Sequence, residues 1–270
     1  MATSHRVYKI VVVLSVIVSI ICIVCLYLFT SSLLITAFTD YDGAFQIVLI
    51  ISARITILSI TTYYLFKKWF QQEAQYLSDI PFLLGLFFLI LIFGKLIDLH
   101  WDLTFFLYDD EIVLLYLKFR YLIIILEVAP LIFLGLEIIF FRLEEKYKKL
   151  KDKKYMNNLR MKIMISIILI ETITVMIVPN ILILGMVLPF ILIPSLIGIV
   201  YIFFLAYRLN RLSVVKPNIL TIGFFLYLIS NIFRPLMQNV LGENASYIIV
   251  VEFVDLIIFV VIFLGLYKKS

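Results

Sequence analysis

Residues Tyr116 to Pro130 read YLKFRYLIIILEVAP, a run that places Lys118, Arg120 and Glu127 among side chains that are otherwise almost all apolar. Extended in both directions, the apolar stretch covers about 112–141, longer than the ~20 residues with which a helix crosses the hydrocarbon of a bilayer. An ion at that depth costs from about 2.5 kcal/mol on insertion scales to above 10 kcal/mol in simulations, so charges retained there must face one another or water. This segment therefore predicts a membrane helix with a polar face turned into a bundle.

The whole chain agrees with that reading. Of its 270 residues 64% are hydrophobic, and the mean hydropathy is +1.14, far above what a soluble core requires. The fold expected is all-α, a polytopic integral membrane bundle forming one transmembrane domain over 1–270. Eight spans are expected at about 8–36, 44–65, 80–99, 112–141, 163–178, 183–207, 218–240 and 246–267. The first is too long for a signal-peptide core and lacks a small-residue cleavage site, so it reads as a retained span. Pro179 and Asn180 divide an otherwise continuous apolar stretch, because proline favours a turn over one very long helix.

Charge orients the spans. Cations concentrate at Arg6 and Lys9, Lys67 and Lys68, the segment 142–162, Arg208, Arg211 and Lys216, and Lys268 and Lys269. The alternate loops carry Asp40, Asp42, Asp102, Asp109, Asp110, Glu111 and Glu243 and no cation. Positive-inside asymmetry then puts both termini and the basic loop 142–162 in the cytoplasm of a multi-pass plasma-membrane protein. The basic loop is suited to anionic lipid at about 1 kcal/mol per cation near the surface. Nothing in this distribution suggests nucleic acid as a partner.

Catalytic and metal chemistry find little material. Cys22 and Cys25 form CIVC inside the first span, where they read as small apolar residues, and the two histidines, His5 and His100, are too few for a His/Cys metal site. Ser230, Ser195 and Thr172 have no histidine in mid-span to activate them. The expectation is a protein that is not an enzyme and needs no cofactor.

What remains is a set of charges within the spans: Arg54, Lys95, Lys118, Arg120 and Arg234 against Asp98, Glu127, Glu137, Glu171, Glu252 and Asp255. Helical spacing pairs Lys95 with Asp98 and Glu252 with Asp255 at i,i+3, aligns Arg120 with Glu127 at i,i+7, and lines Asn231, Arg234 and Gln238 along one stripe. Most lie in the outer half of the membrane. Six spans are thus expected to contribute to one polar chamber open to the outside. Arg120 and Glu127 point into it, an acid of the eighth span partners Arg120 or Arg234, and Lys118 forms the lip. Lys95 and Asp98 have the alternative of reaching the outer interface beside His100 and Trp101.

The segment LYLKFRYLIIILEVAPLIFLGLEIIF, with Lys118, Tyr121, Leu122 and Pro130, resembles the signature helix of the seven-transmembrane sensor region at the N-terminus of archaeal and bacterial histidine kinases. The preceding IPFLLGLFFLILIFGKLIDLHWD is similar to that family's helix ending in an acidic, Trp-containing outer loop. The resemblance spans about residues 80–141, and it departs from the family in the position of the proline and in having eight spans. It implies a sensory module that signals through a cytoplasmic partner. Ligand sensing in the charged chamber is accordingly the function expected. Transport through the same charges is the alternative, although no internal repeat and no GxxxG motif is present.

Overall fold

The computed structural model describes residues 2–73, 75–144, 146–208, 215–242 and 244–267, with side chains undescribed at 2–9, 11, 188, 191, 192, 235 and 239. Arg211, Glu243, Lys268 and Lys269 therefore lie outside the described residues, as do the side chains of Arg6 and Lys9. The described chain is helical without a strand. Its α-helices are α1 (Ala2–Phe29), α2 (Ser31–Asp40), α3 (Ala44–Phe70), α4 (Ile80–Thr104), α5 (Asp110–Leu143), α6 (Lys153–Ile177), α7 (Ile181–Arg208), α8 (Pro217–Leu241) and α9 (Ala245–Tyr267). Six are long and apolar enough to cross a membrane, namely α1, α3, α4, α5, α8 and α9.

Local sequence sets the helix ends. Pro81 and Pro217 occupy first-turn positions, where no N–H is missed. The side chains of Asp152, Asn180 and Asn244 accept from Lys154 N, Ile183 N and Tyr247 N, each at 2.9 Å, and cap α6, α7 and α9. Asp152 thus starts α6 ten residues before the expected span, so the second half of the basic segment is helical. The break at Pro179 occurs as expected, with Val178 extended. By contrast Pro189 and Pro194 lie inside α7, which continues past them.

The expected first span is bent. Thr30 leaves helical geometry at φ −104°, while its neighbours keep the ladder through Thr30 N to Leu26 O (3.0 Å) and Leu34 N to Thr30 O (3.1 Å). The Thr30 hydroxyl causes this. It donates back to Leu26 O at 2.7 Å and lies 2.8 Å from His100 Nε2, which ties the bend to α4. His100 is fully buried there and does not sit at an aqueous interface.

Helix packing runs from α3 to α4, α5, α7, α8 and α9 and back to α3, a closed ring of six. Helix α6 packs on α5 outside the ring, and α1 and α2 lean on α4. At Gly223 an added Cβ would lie 2.5 Å from Ile262 Cγ1 and 3.5 Å from its backbone, so the glycine sets how closely α8 approaches α9. Gly43, at φ +93°, makes the turn into α3 beside Ala245.

The ring interior divides by polarity. Toward the end that holds the basic segment it is filled by Phe87, Phe88, Leu131, Phe203, Phe224 and Phe259. Phe203 stacks on Phe224 at 5.0 Å, Phe87 meets Phe224 at 6.0 Å, and Phe88 meets Phe259 edge-on at 6.2 Å. Toward the opposite end the interior carries the charges.

Candidate functional site: a charged chamber

Seven charged side chains from five helices form one alternating chain. Arg120 of α5 clamps Asp98 of α4 with two donors, Nε to Oδ1 and Nη2 to Oδ2, the latter at 2.9 Å. Asp98 also takes Lys95 Nζ at 2.8 Å. Lys95 reaches across to Glu252 Oε1 of α9 at 2.9 Å. The other Glu252 oxygen accepts from Arg54 Nη1 of α3 at 2.6 Å, and the same Nη1 lies 2.9 Å from Asp255 Oδ2. Asp255 completes the chain with Arg234 of α8 and accepts from Ser230 Oγ at 2.7 Å. Each acid is shared between two cations, so in a medium of low dielectric no acid in the chain is left without a counterion.

Two structural details make the chain fit. Arg54 is 0% exposed and its guanidinium lies over the Phe259 ring at 4.9 Å, an apolar and weakly anionic face that suits a planar cation. Gly94 faces Arg120: a Cβ there would lie 3.0 Å from Nη1 and 3.2 Å from Cζ, so glycine lets the guanidinium lie flat against α4.

The chain borders a cavity of about 370 Å³ enclosed by α4, α5, α8 and α9. Glu127 of α5 and Tyr227 of α8 are the lining residues farthest along their helices from the open end, Lys95, Asp98, Arg120, Asn231 and Glu252 lie between, and Asp102, Tyr116, Gln238 and Tyr247 line its upper part. The upper part lies at the bundle end where α4 and α8 finish and α5 and α9 begin. That is the end carrying Asp109, Asp110 and Glu111, opposite the basic segment.

The structure redistributes several residues expected in the chamber. Lys95, Asp98, Arg120, Glu127, Asn231, Arg234 and Glu252 line it, and Arg54 and Asp255 stand directly behind as the link between α3, α8 and α9. Arg120 does not pair with Glu127. Seven residues along a helix separate their Cα levels by about 10 Å, whereas α4 brings Asp98 alongside. Arg234 does take an acid of α9, Asp255. Lys118 is not the lip: its Nζ donates to Met176 O at 3.0 Å and satisfies the last turn of α6, on the side of α5 that faces away from the cavity. Glu171 belongs to α6 and so lies outside the ring. Lys95 and Asp98 do not reach for an aqueous interface, since both are committed to the chain.

Glu127 holds a singular position. It is 5% exposed, lines the deep end of the cavity, and makes no ion pair or hydrogen bond among the described residues. Asp102, assigned to an outer loop by composition, is still on α4 and lines the cavity. Four buried guanidinium nitrogens have no acceptor among the described residues: Arg54 Nε and Nη2, Arg120 Nη1 and Arg234 Nε.

A second charged site escaped the sequence reading. Arg160, placed in the basic loop by composition, is fully buried in α6 against α5. Its Nη2 lies 2.9 Å from Glu137 Oε2 and 2.9 Å from Phe133 O, Nη1 donates to Asn157 at 2.9 Å, and the guanidinium covers the Phe133 ring at 3.8 Å. The only available signal was its i,i+3 spacing from Asn157. A cavity of about 480 Å³ adjoins Glu137, between α5, α6 and the 3-10 turn Lys148–Lys151. Cys22 and Cys25 are exposed on α1 as free thiols.

Comparisons with family models, with curated proteins and with solved structures find no match.

Proposed function

We propose that this chain is an eight-span plasma-membrane protein with both termini and the basic segment 142–162 in the cytoplasm, and that it is a receptor-like module binding a small charged ligand in a chamber open to the outside. In this reading α6 and α7 are the fifth and sixth spans, and the basic segment holds anionic lipid and faces a cytoplasmic signalling partner. The likeness of residues 80–141 to histidine-kinase sensor regions points the same way. A ligand with different affinity for two packings of the ring would shift their populations and report to that partner.

The observation that carries the reading is the polarity step along the ring axis. A charged cavity ends on Tyr227 and Glu127, and below it the interior is packed with the phenylalanines of α4, α7, α8 and α9. Such a cavity suits binding from one side. Conduction would need polar lining to continue through the aromatic layer.

The test is a thermal-shift screen of the purified protein against amino acids, carboxylates, amines and phosphate. A ligand at a hundred times its Kd stabilises by about 2.7 kcal/mol, a shift of a few degrees in Tm. At least one compound should give that shift in the wild type and lose it in Ile248→Trp, which fills the chamber without touching an ion pair. A shift that is equal in both proteins, or saturable flux of the compound through proteoliposomes, would replace this reading.

A further inference from the structure

Resting on the chamber reading, we propose that the ligand is a small zwitterion, with its cationic nitrogen on Glu127 and its anionic group between Arg120 and Arg234. The charge chain leaves spare capacity of both signs in one cavity. Asp98, Glu252 and Asp255 are each taken up by two cations. Glu127, buried at the deep end, is taken up by none within ion-pair distance among the described residues. On the cationic side Arg120 and Arg234 each serve a single acid, and both guanidinium side chains line the same cavity from different helices, 13% and 26% exposed.

The spacing suits two ends of one molecule. Arg120 and Glu127 are seven residues apart on α5, and Arg234 and Tyr227 seven apart on α8, so both walls carry a guanidinium about 10 Å above a second group. At that lower level Tyr227 joins Glu127, giving a carboxylate with an aromatic neighbour of the kind that holds an ammonium. Guanidinium forks suit a carboxylate or phosphate above it. A volume of about 370 Å³ accepts a compound of amino-acid to dipeptide size. A simple anion would leave Glu127 without a counterion, and a simple cation would leave the cavity-lining sides of Arg120 and Arg234 unused.

The experiment is titration calorimetry on the full chain in detergent with unbranched ω-amino acids of three to eight carbons. Each is matched to the carboxylate and the amine of the same length. One length should bind about tenfold tighter than either single-charge analogue, the gain of a second charge-assisted contact. In Glu127→Gln that preference should fall below about twofold. Glu127→Asp, which keeps the charge and withdraws it by one methylene, should move the preferred length one carbon longer. Equal binding of carboxylate and zwitterion, insensitive to both variants, overturns the zwitterion while leaving a ligand chamber in place. So does failure of the whole series when another charged compound is still lost in Ile248→Trp. Failure of every compound removes the chamber reading itself.

Discussion

Arg54→Leu is expected to destabilise the protein by about 3 to 5 kcal/mol, the range for removing one member of a fully buried charge cluster. A single nitrogen of Arg54 joins Glu252 and Asp255, the two acids of α9, and no water reaches it because the side chain is 0% exposed. Without it Glu252 keeps only Lys95, Asp255 keeps Arg234 and the Ser230 hydroxyl, and the two carboxylates repel each other with no cation between them. The contact of α3 with α9, one of the six that close the ring, loses its polar element. The expected readout is a large fall in Tm, or loss of monodisperse protein on purification in detergent. Because only Nη1 makes these contacts, Arg54→Lys should recover part of the loss, with a shorter reach. A Tm for Arg54→Leu within a degree or two of wild type would mean that the acids of α9 are satisfied some other way.

Asp98→Asn is the second large effect, also expected at about 3 to 5 kcal/mol. Asp98 receives both Arg120 and Lys95, so its neutralisation leaves two cations sharing Glu252 and the more distant Glu127. The double variant Asp98→Asn with Arg120→Gln should be more stable than the sum of the two single losses predicts. A coupling of about 1.5 to 3 kcal/mol is expected for contacting residues in one network. Additive losses in denaturation of the purified variants would show that Arg120 and Asp98 do not act as a pair. A rise in stability of Arg120→Gln alone would mean that the desolvation cost of Arg120 exceeds what its acid partner returns.

These residues also show what a sequence can and cannot disclose about such a bundle. Spacing along one helix found the Lys95–Asp98 pair, the joint facing of Glu252 and Asp255, and the stripe from Asn231 to Gln238, because a helix fixes i,i+3 and i,i+7 relations by itself. The cost of ions in hydrocarbon pointed correctly to clustering. Partner choice across helices was not legible. It depends on which helices are neighbours, and in a membrane both the lipid face and the packed face of a helix are apolar, so periodicity does not order the ring. Arg120 therefore looked equally suited to Glu127 and to an acid of α9, when the helix beside it carried Asp98. The same blindness put Glu171 in the chamber, since nothing in α6 marks it as lying outside α5. Arg160 failed for another reason: it sits among surface lysines in sequence, and only the Asp152 cap, which starts α6 early, carries it into the bundle.

Cysteine accessibility in intact cells tests the central claim most directly, that the charged cavity opens away from the basic segment and is closed below by the aromatic layer. In a background with Cys22 and Cys25 replaced by serine, single cysteines at Asn231, Phe224 and Lys149 would be exposed to a membrane-impermeant thiol reagent, before and after permeabilisation. Asn231→Cys should react from outside, Lys149→Cys only after permeabilisation, and Phe224→Cys under neither condition. Reaction of Asn231→Cys only after permeabilisation, or of Phe224→Cys from either side, would contradict the account.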